Sequence, residues 1–258
     1  MEFRPCIDIH NGRVKQIVGS SLRDEADEAV ENFVANFDAA FYADLYRTKN
    51  IRNGHVIILN HIDSEYYEAS KKQALSALRV YKNGLQIGGG ITPKNVAEYL
   101  DAGASHVIVT SYVFSEGRIN FENLHKLVSE TGKEKLVLDL SCRMKAGNYY
   151  IVTDRWQKYT DVVLNEETMD MLSEFCDEFL IHAVDVEGKA DGIEQELVRM
   201  LGRWNKIPVT YAGGVHSFED LRQLKELGHN NINVTIGSSL DLFGGSMKLD
   251  DVLNFIND

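Results

Sequence analysis

Two carboxylates stand where apolar side chains would be expected. Asp8 lies in CIDIHNGRVK and Asp139 in VLDLSCRMK; each ends an apolar run and precedes a loop with a basic residue, Arg13 or Arg143. A carboxylate in such a run is costly unless it is paired, hydrogen-bonded or at work. Taken singly, each could cap a neighbouring helix or pair with an arginine. Two at matching places suit acid/base chemistry instead, with one proton donor and one acceptor on opposite faces of a substrate, as an isomerisation requires.

Two glycine turns recur in the same way. IGGGITP (87–93) and YAGGVHS (211–217) each read as strand end, tight turn and helix start. VIVTSYVF (107–114) and VTIGSSLDLF (234–243) follow them at matching distances. Gly89 and Gly90 with Thr110 and Ser111 make one set, and Gly213 and Gly214 with Gly237 and Ser238 the other. Such turns present backbone N–H groups at helix starts, where anions bind, and glycine lets the main chain come close to a ligand. A single glycine turn is most simply a tight βα connection. Two turns, each matched by a Gly/Ser/Thr strand end, point instead to a ligand with a phosphate at each end.

The elements that must position these residues alternate. Short apolar runs fall at 4–9, 55–59, 85–88, 106–110, 135–140, 179–184, 207–212 and 232–236. They read as parallel strands buried on both faces. Amphipathic segments lie between them, at 34–45, 70–81, from Thr92-Pro93 to Gly103, at 121–128, 167–175, 193–204, 218–227 and 249–256. Thr92 reads as an N-cap with Pro93 at the first helical position. Eight strand–helix units close naturally into an α/β (β/α)8 TIM barrel. An open doubly wound sheet usually carries GxGxxG or GxxxxGK[ST] early, and neither occurs here. The paired motifs make the barrel a two-fold repeat of half-barrels, about 1–130 and 131–258, within one domain. Such barrels carry their sites in the loops after the strands, so Asp8 and Asp139 should face each other across one mouth. Segments 19–27 and 141–160 read as long loops, the second with a small hairpin at 148–153.

Composition narrows the function. With 44% hydrophobic and 26% charged residues, the 258-residue chain can bury a large core. Its net charge of -12 and the absence of a basic cluster argue against nucleic acid as a partner. An anionic ligand must therefore be held by local backbone dipoles. No apolar run approaches the roughly 18 residues of a membrane span, and the N-terminus lacks a signal-peptide pattern. Cys6, Cys142 and Cys176 are too few and too far apart for a disulfide frame or a zinc site. A cytoplasmic monomer acting on a small molecule is the expectation.

Taken together and in order, CIDIHNGRVKQIVG, LQIGGGI, LDLSCR, IPVTYAGGV and VTIGSSLDLFGG resemble the histidine-biosynthesis isomerases that act on phosphoribosyl-formimino-aminoimidazole-carboxamide ribotide (ProFAR), in their eukaryotic form. The likeness covers essentially the whole chain. It implies a half-barrel-duplicated fold, a ribotide substrate with a phosphate at each end, and no metal or organic cofactor. It also implies an Amadori rearrangement of the aminoaldose ProFAR to the aminoketose PRFAR. Carried over by motif, Asp8 is the general base and Asp139 the general acid. An ordinary Asp titrates near 3.9, so Asp139 would need surroundings that keep a proton on it. Trp156 stands where the family stacks a tryptophan on the imidazole ring; it could equally anchor its loop. Arg143 reads either as a phosphate contact or orienter of Asp139, or as a surface ion pair. His182, at the end of the sixth strand, reads as a packed, hydrogen-bonded side chain rather than a catalytic one.

The chain departs from that pattern in places. Relatives commonly have His-Thr and then Arg-Asp-Gly after the sixth strand; this chain has His182-Ala183 and then Glu187-Gly188, with Gly188 a substrate-site candidate. Many have Arg after GGGI where this chain has Thr92. The neighbouring cyclase of the same pathway shares both aspartates and both phosphate turns, and Lys15 fits its pattern, but the tryptophan loop favours the isomerase. A non-catalytic sugar-phosphate-binding barrel would need the turns and not the aspartates.

Overall fold

The computed structural model describes residues 1–17, 31–154, 156–187 and 192–257. In chain order the strands are β1 Cys6–His10, β2 Arg13–Ile17, β3 Glu31–Val34, β4 Gly54–Ile58, β5 Leu85–Gly88, β6 Val107–Val109, β7 Phe114–Ser115, β8 Arg118–Ile119, β9 Leu136–Asp139, β10 Cys142–Lys145, β11 Asn148–Thr153, β12 Lys158–Val163, β13 Glu178–His182, β14 Val209–Ala212 and β15 Ile232–Thr235. The helices are α1 Ala39–Thr48, α2 Tyr67–Val80, α3 Val96–Ala102, α4 Phe121–Thr131, α5 Glu166–Ser173, α6 Gln195–Trp204, α7 Phe218–Leu227 and α8 Leu249–Asn257.

Eight strands pair in parallel around a ring, in the order β1, β4, β5, β6, β9, β13, β14, β15. The segment before β1 closes the ring on β15. Phe3 bridges Val234 in parallel, Arg4 N–H donates to Val234 O at 2.8 Å and Val234 N–H to Glu2 O at 2.9 Å. The fold is a closed (β/α)8 TIM barrel, and each of its strands lies within two residues of the range read from sequence. Closure removes the sheet edges, and burial of both faces makes these strands mostly apolar.

Inside the ring, side chains lie in layers set by the two-residue strand period. At the strand starts, Arg4, Gln86, Glu178 and Thr210 are buried together. Arg4 pairs with Glu178, and Gln86 Nε2 and Thr210 Oγ1 donate to the same carboxylate at 2.8 and 2.5 Å. Above them Ile108, Val137, Leu180 and Ala212 form an apolar plug with Ile57 packed against it. One more step along the strands brings Asp8, Asp139 and His182 to the mouth. Outside, α6 shows why these segments are helical: Leu197, Val198, Leu201 and Trp204 share one buried face. Each such side chain, fully buried, contributes about 1.5–3 kcal/mol.

The first strand of each half is followed by an antiparallel excursion. β1 runs into β2 and then β3, and after β9 the strands β10, β11 and β12 form a three-stranded sheet. The expected hairpin at 148–153 is thus the central strand of a larger meander. The segment 19–27 lies outside the described residues.

Two helices start later than expected. The segment 34–45 divides into the end of β3 and α1, because Asp38 caps the helix by accepting Phe41 N–H. α3 begins at Val96 rather than at Pro93. Thr92 O accepts the N–H groups of both Asn95 and Val96, so Pro93 sits in a turn ahead of the helix.

Candidate active site

A cavity of about 650 Å³ opens at the C-terminal ends of the barrel strands, and both Asp8 and Asp139 line it. Asp8 sits midway along the first strand of the eight-strand ring and Asp139 ends the fifth, so they stand on opposite walls. Gly89, Gly90, Thr110 and Ser111 line it beyond β5 and β6, and Gly213, Gly214, Gly237 and Ser238 beyond β14 and β15. The two glycine sets therefore face each other across the same mouth. Lys158 is the one Lys or Arg among the described lining residues, and its ammonium pairs with Asp154 at 2.7 Å.

The two turns are built alike. At Gly89, φ is +107° and a Cβ would lie 2.2 Å from the carbonyl oxygen of Ile58, at the end of the preceding barrel strand. At Gly213, φ is +135° and a Cβ would lie 2.9 Å from the carbonyl oxygen of Ala183, again just past the preceding barrel strand. Packing thus demands these two glycines whatever the ligand. A buried or half-buried side chain then pins each turn. Asn95 accepts Thr92 N–H at 2.8 Å and donates to Gly90 O at 2.9 Å. Asp220 accepts the N–H groups of His216 and Ser217 at 3.1 and 2.9 Å, in a capping box. Neither pin stands out in the sequence, although Ser217 with Asp220 at N3 is a capping-box spacing.

The carboxylates differ. Gln16 Nε2 donates to Asp8 Oδ2 at 3.2 Å. Burial, reinforced by the Glu187 carboxylate, pushes Asp8 up to about 6 against the pull of His182 and the hydrogen bonds. At Asp139 burial works upward too, but it is outweighed by the His182 charge, the His182 hydrogen bond and those from Ser141, so its carboxyl lies below the ordinary range. These surroundings favour the ionised form of Asp139. His182 Nδ1 lies 3.2 Å from Asp139 Oδ1. Burial lowers His182, yet Asp139 outweighs it and raises the imidazole to about 9. His55, whose ring centroid is 6.3 Å from that of His182, is held near 3 by burial and by the His182 charge, so it is neutral.

Trp156 lines the cavity, donates Nε1–H to Ser141 Oγ at 2.9 Å and sets its ring centroid 5.6 Å from that of His182. Arg143 does not line the cavity. Its Nε donates to Asp185 at 2.9 Å, the ion-pair reading of this residue, because β10 carries it away along the meander. Gly188 lies outside the described residues. Gln16, Ser141, His55 and Glu187 were not anticipated. Only Ser141 had a legible signal, an Asp two residues before a Ser, the spacing of a local side-chain turn. Cys6, Asp8 and His55 bring ligand atoms within 4.8 Å of one another, the one such metal-type grouping among the described residues. Gln16 donates to both Asp8 and Cys6, so two of the three belong to a hydrogen-bonded set.

Comparison with known proteins identifies relatives along the whole chain. A 1-(5-phosphoribosyl)-5-((5-phosphoribosylamino)methylideneamino)imidazole-4-carboxamide isomerase of Medicago truncatula, chloroplastic, is 52% identical over all of this chain and 82% of its own length. The isomerase of the same name from Neurospora crassa is 44% identical over 94% of this chain and 93% of its own. That of Saccharomyces cerevisiae is 40% identical over 97% and 96%. The sequence model of the family described as histidine biosynthesis protein matches residues 2–247, and the chain belongs to that family.

Proposed function

We propose that this protein is an isomerase of histidine biosynthesis that converts ProFAR, the bis-phosphoribosyl imidazole carboxamide of its relatives' names, to its aminoketose isomer by an Amadori rearrangement. The observation that carries the reading is one cavity with a carboxylate on each of two opposite walls and a glycine turn at each end. The turns suit the two phosphates, held by backbone N–H groups and helix starts. The walls suit proton transfer at the ribose between them. Trp156 lines the cavity and would stack on the imidazole ring.

Asp8 acts as the base. A carboxylate pushed up to about 6 is still ionised at neutral pH and is a stronger base than an ordinary Asp. The acid comes from the Asp139 wall. Protonation of the ribose ring oxygen breaks the C1–O bond and the anomeric nitrogen forms the Schiff base. Asp8 then removes the C2 proton, giving an enolamine that collapses to the ketone. A purely binding barrel would have no use for a raised Asp8 opposite a lowered Asp139. The test is to mix purified protein with ProFAR and follow the isomer by chromatography or NMR. Conversion that Asp8→Asn abolishes while binding persists supports the reading; binding without conversion by the unaltered protein overturns it.

A further inference from the structure

The base wall holds a second kind of chemistry. β1 and β4 are parallel neighbours, and their register sets Cys6 beside His55. Asp8 lies two residues beyond Cys6 and so shares its face. All three side chains line the cavity. A thiol, a carboxylate and an imidazole, each offering one ligand atom, lie there within 4.8 Å of one another. Cys6 and His55 are each only 3% exposed. The ring nitrogens of His55 make no hydrogen bond to the described residues, an uncommon state for a buried imidazole. Gln16 bonds to Cys6 and Asp8 and leaves that ring aside.

We propose that Cys6, Asp8 and His55 form an inhibitory site for a thiophilic divalent cation, Zn²⁺, which on binding occupies the carboxylate of the base. The site rests on this geometry; its inhibitory effect rests on the isomerase reading above. Sulfur, nitrogen and carboxylate oxygen are the protein ligands of zinc, and three of them leave the fourth tetrahedral position to the cavity. A hard cation such as Mg²⁺ prefers oxygen ligands and octahedral geometry. A thiolate and a carboxylate together balance the two positive charges, which a shielded wall requires. Tetrahedral bonds of about 2.0–2.3 Å separate ligand atoms by about 3.3–3.8 Å, so the widest pair closes by about 1 Å. Side chains that face an open cavity have room for that movement. Gln16 donates to Asp8 Oδ2 and stays there while Oδ1 binds the metal.

Binding breaks the Cys6 S–H bond and forms a Zn–S bond. The proton leaves to the buffer, and nothing is oxidised or reduced. The carboxylate that would take the C2 proton is then held by the cation. No step of the rearrangement passes through the metal, so bound zinc competes with substrate.

Cobalt reads out the ligands. Co²⁺ added to the wild-type protein should give, at one equivalent, a thiolate-to-cobalt absorption in the near ultraviolet together with the visible bands of a tetrahedral site, and Zn²⁺ should displace both. The ultraviolet band should be lost in Cys6→Ala and in Cys6→Ser, and kept in Cys142→Ala and Cys176→Ala. His55→Gln should weaken zinc binding, measured against a chromophoric chelator, by more than the roughly 10–100-fold that loss of an outer partner costs. A wild-type protein without the thiolate band, or a band that survives loss of Cys6, overturns the site. In kinetics, Zn²⁺ should raise the apparent KM for ProFAR with little change in kcat, Mg²⁺ at the same concentration should leave both unchanged, and a chelator should restore the rate. Cys6→Ala should need at least roughly tenfold more zinc for the same fractional loss of its own zinc-free rate. Zinc that binds with cobalt-like thiolate ligation yet leaves turnover unchanged overturns the inhibition. If the zinc-free protein does not turn over ProFAR, the isomerase reading fails, and the cobalt spectrum still judges the site.

Discussion

The two halves of the barrel carry the same carboxylate at the same place, yet the surroundings make them different groups. Asp8 receives one side-chain N–H, from Gln16, and faces the Glu187 carboxylate. Asp139 receives three donors on one oxygen, from Ser141 twice and from His182. One carboxyl is pushed up to about 6, the other held below its ordinary value. The scaffold repeats down to the glycine that packs on the preceding strand's carbonyl, while the polar side chains around each carboxylate do not. A repeated fold supplies two equivalent walls, and a few non-equivalent neighbours turn them into a base and an acid.

The largest test of that difference is the same exchange on each wall. Asp8→Asn and Asp139→Asn should each lower kcat for ProFAR by roughly 10²–10⁴-fold, the range for loss of a positioned acid or base. Stability should move in opposite directions. The folded pKa of Asp8 lies above its ordinary 3.8, so the native state holds the proton more tightly and loses stability as pH rises from about 4 to about 6. The shift corresponds to at most about 3 kcal/mol, which Asp8→Asn should recover in part at pH 7.5 and not at pH 4. Asp139→Asn leaves the His182 charge buried without its partner and should cost about 3–5 kcal/mol. That loss should fade as pH rises through about 9, where His182 discharges and the pair no longer stabilises wild type. Thermal melts of both variants at three pH values decide the matter; equal shifts of the same sign would erase the distinction.

A smaller effect separates the donors. Ser141→Ala removes an O–H from Asp139 and frees the indole of Trp156, two bonds in one change. It should destabilise the fold by about 1–3 kcal/mol and move the imidazole titration of His182. Gln16→Leu removes one donor from Asp8 and should cost less in stability. Denaturant melts rank the two; the reverse order would mean that the Asp8 wall is the tightly bonded one.

Sequence exposes these walls unevenly, for physical reasons. The strands were legible because a closed parallel ring buries both faces and leaves continuous apolar runs such as LVLD. The carboxylates and glycine turns were legible because each breaks such a run at its end. The first helix was misplaced because Phe33 and Val34 continue an apolar pattern from β3 toward α1, and only Asp38 marks the true start. Gln16, Glu187 and His55 were not legible as site residues. Gln16 reaches Asp8 from the neighbouring antiparallel strand, His55 meets His182 across the ring and Glu187 comes from a loop, and a polar residue in such a place looks like any other until the fold sets its partner beside it.

The finest test addresses why Asp8 is raised at all. Burial comes first and Glu187 second among the causes, and Glu187 is itself raised by burial. Glu187→Gln keeps the volume and removes the neighbouring charge. Asp8 should then ionise more readily, so the acid limb of kcat/KM should move from about 6 toward the ordinary 3.8 without reaching it, because burial remains. A base with a lower pKa is also a weaker base, so the plateau at neutral pH should fall modestly as the limb moves. Those two changes must appear together if Asp8 is the base. An acid limb that stays near 6 in Glu187→Gln would leave burial alone as the cause. A limb that shifts while the plateau stays constant would assign the titration to a group that gates binding rather than one that removes the C2 proton.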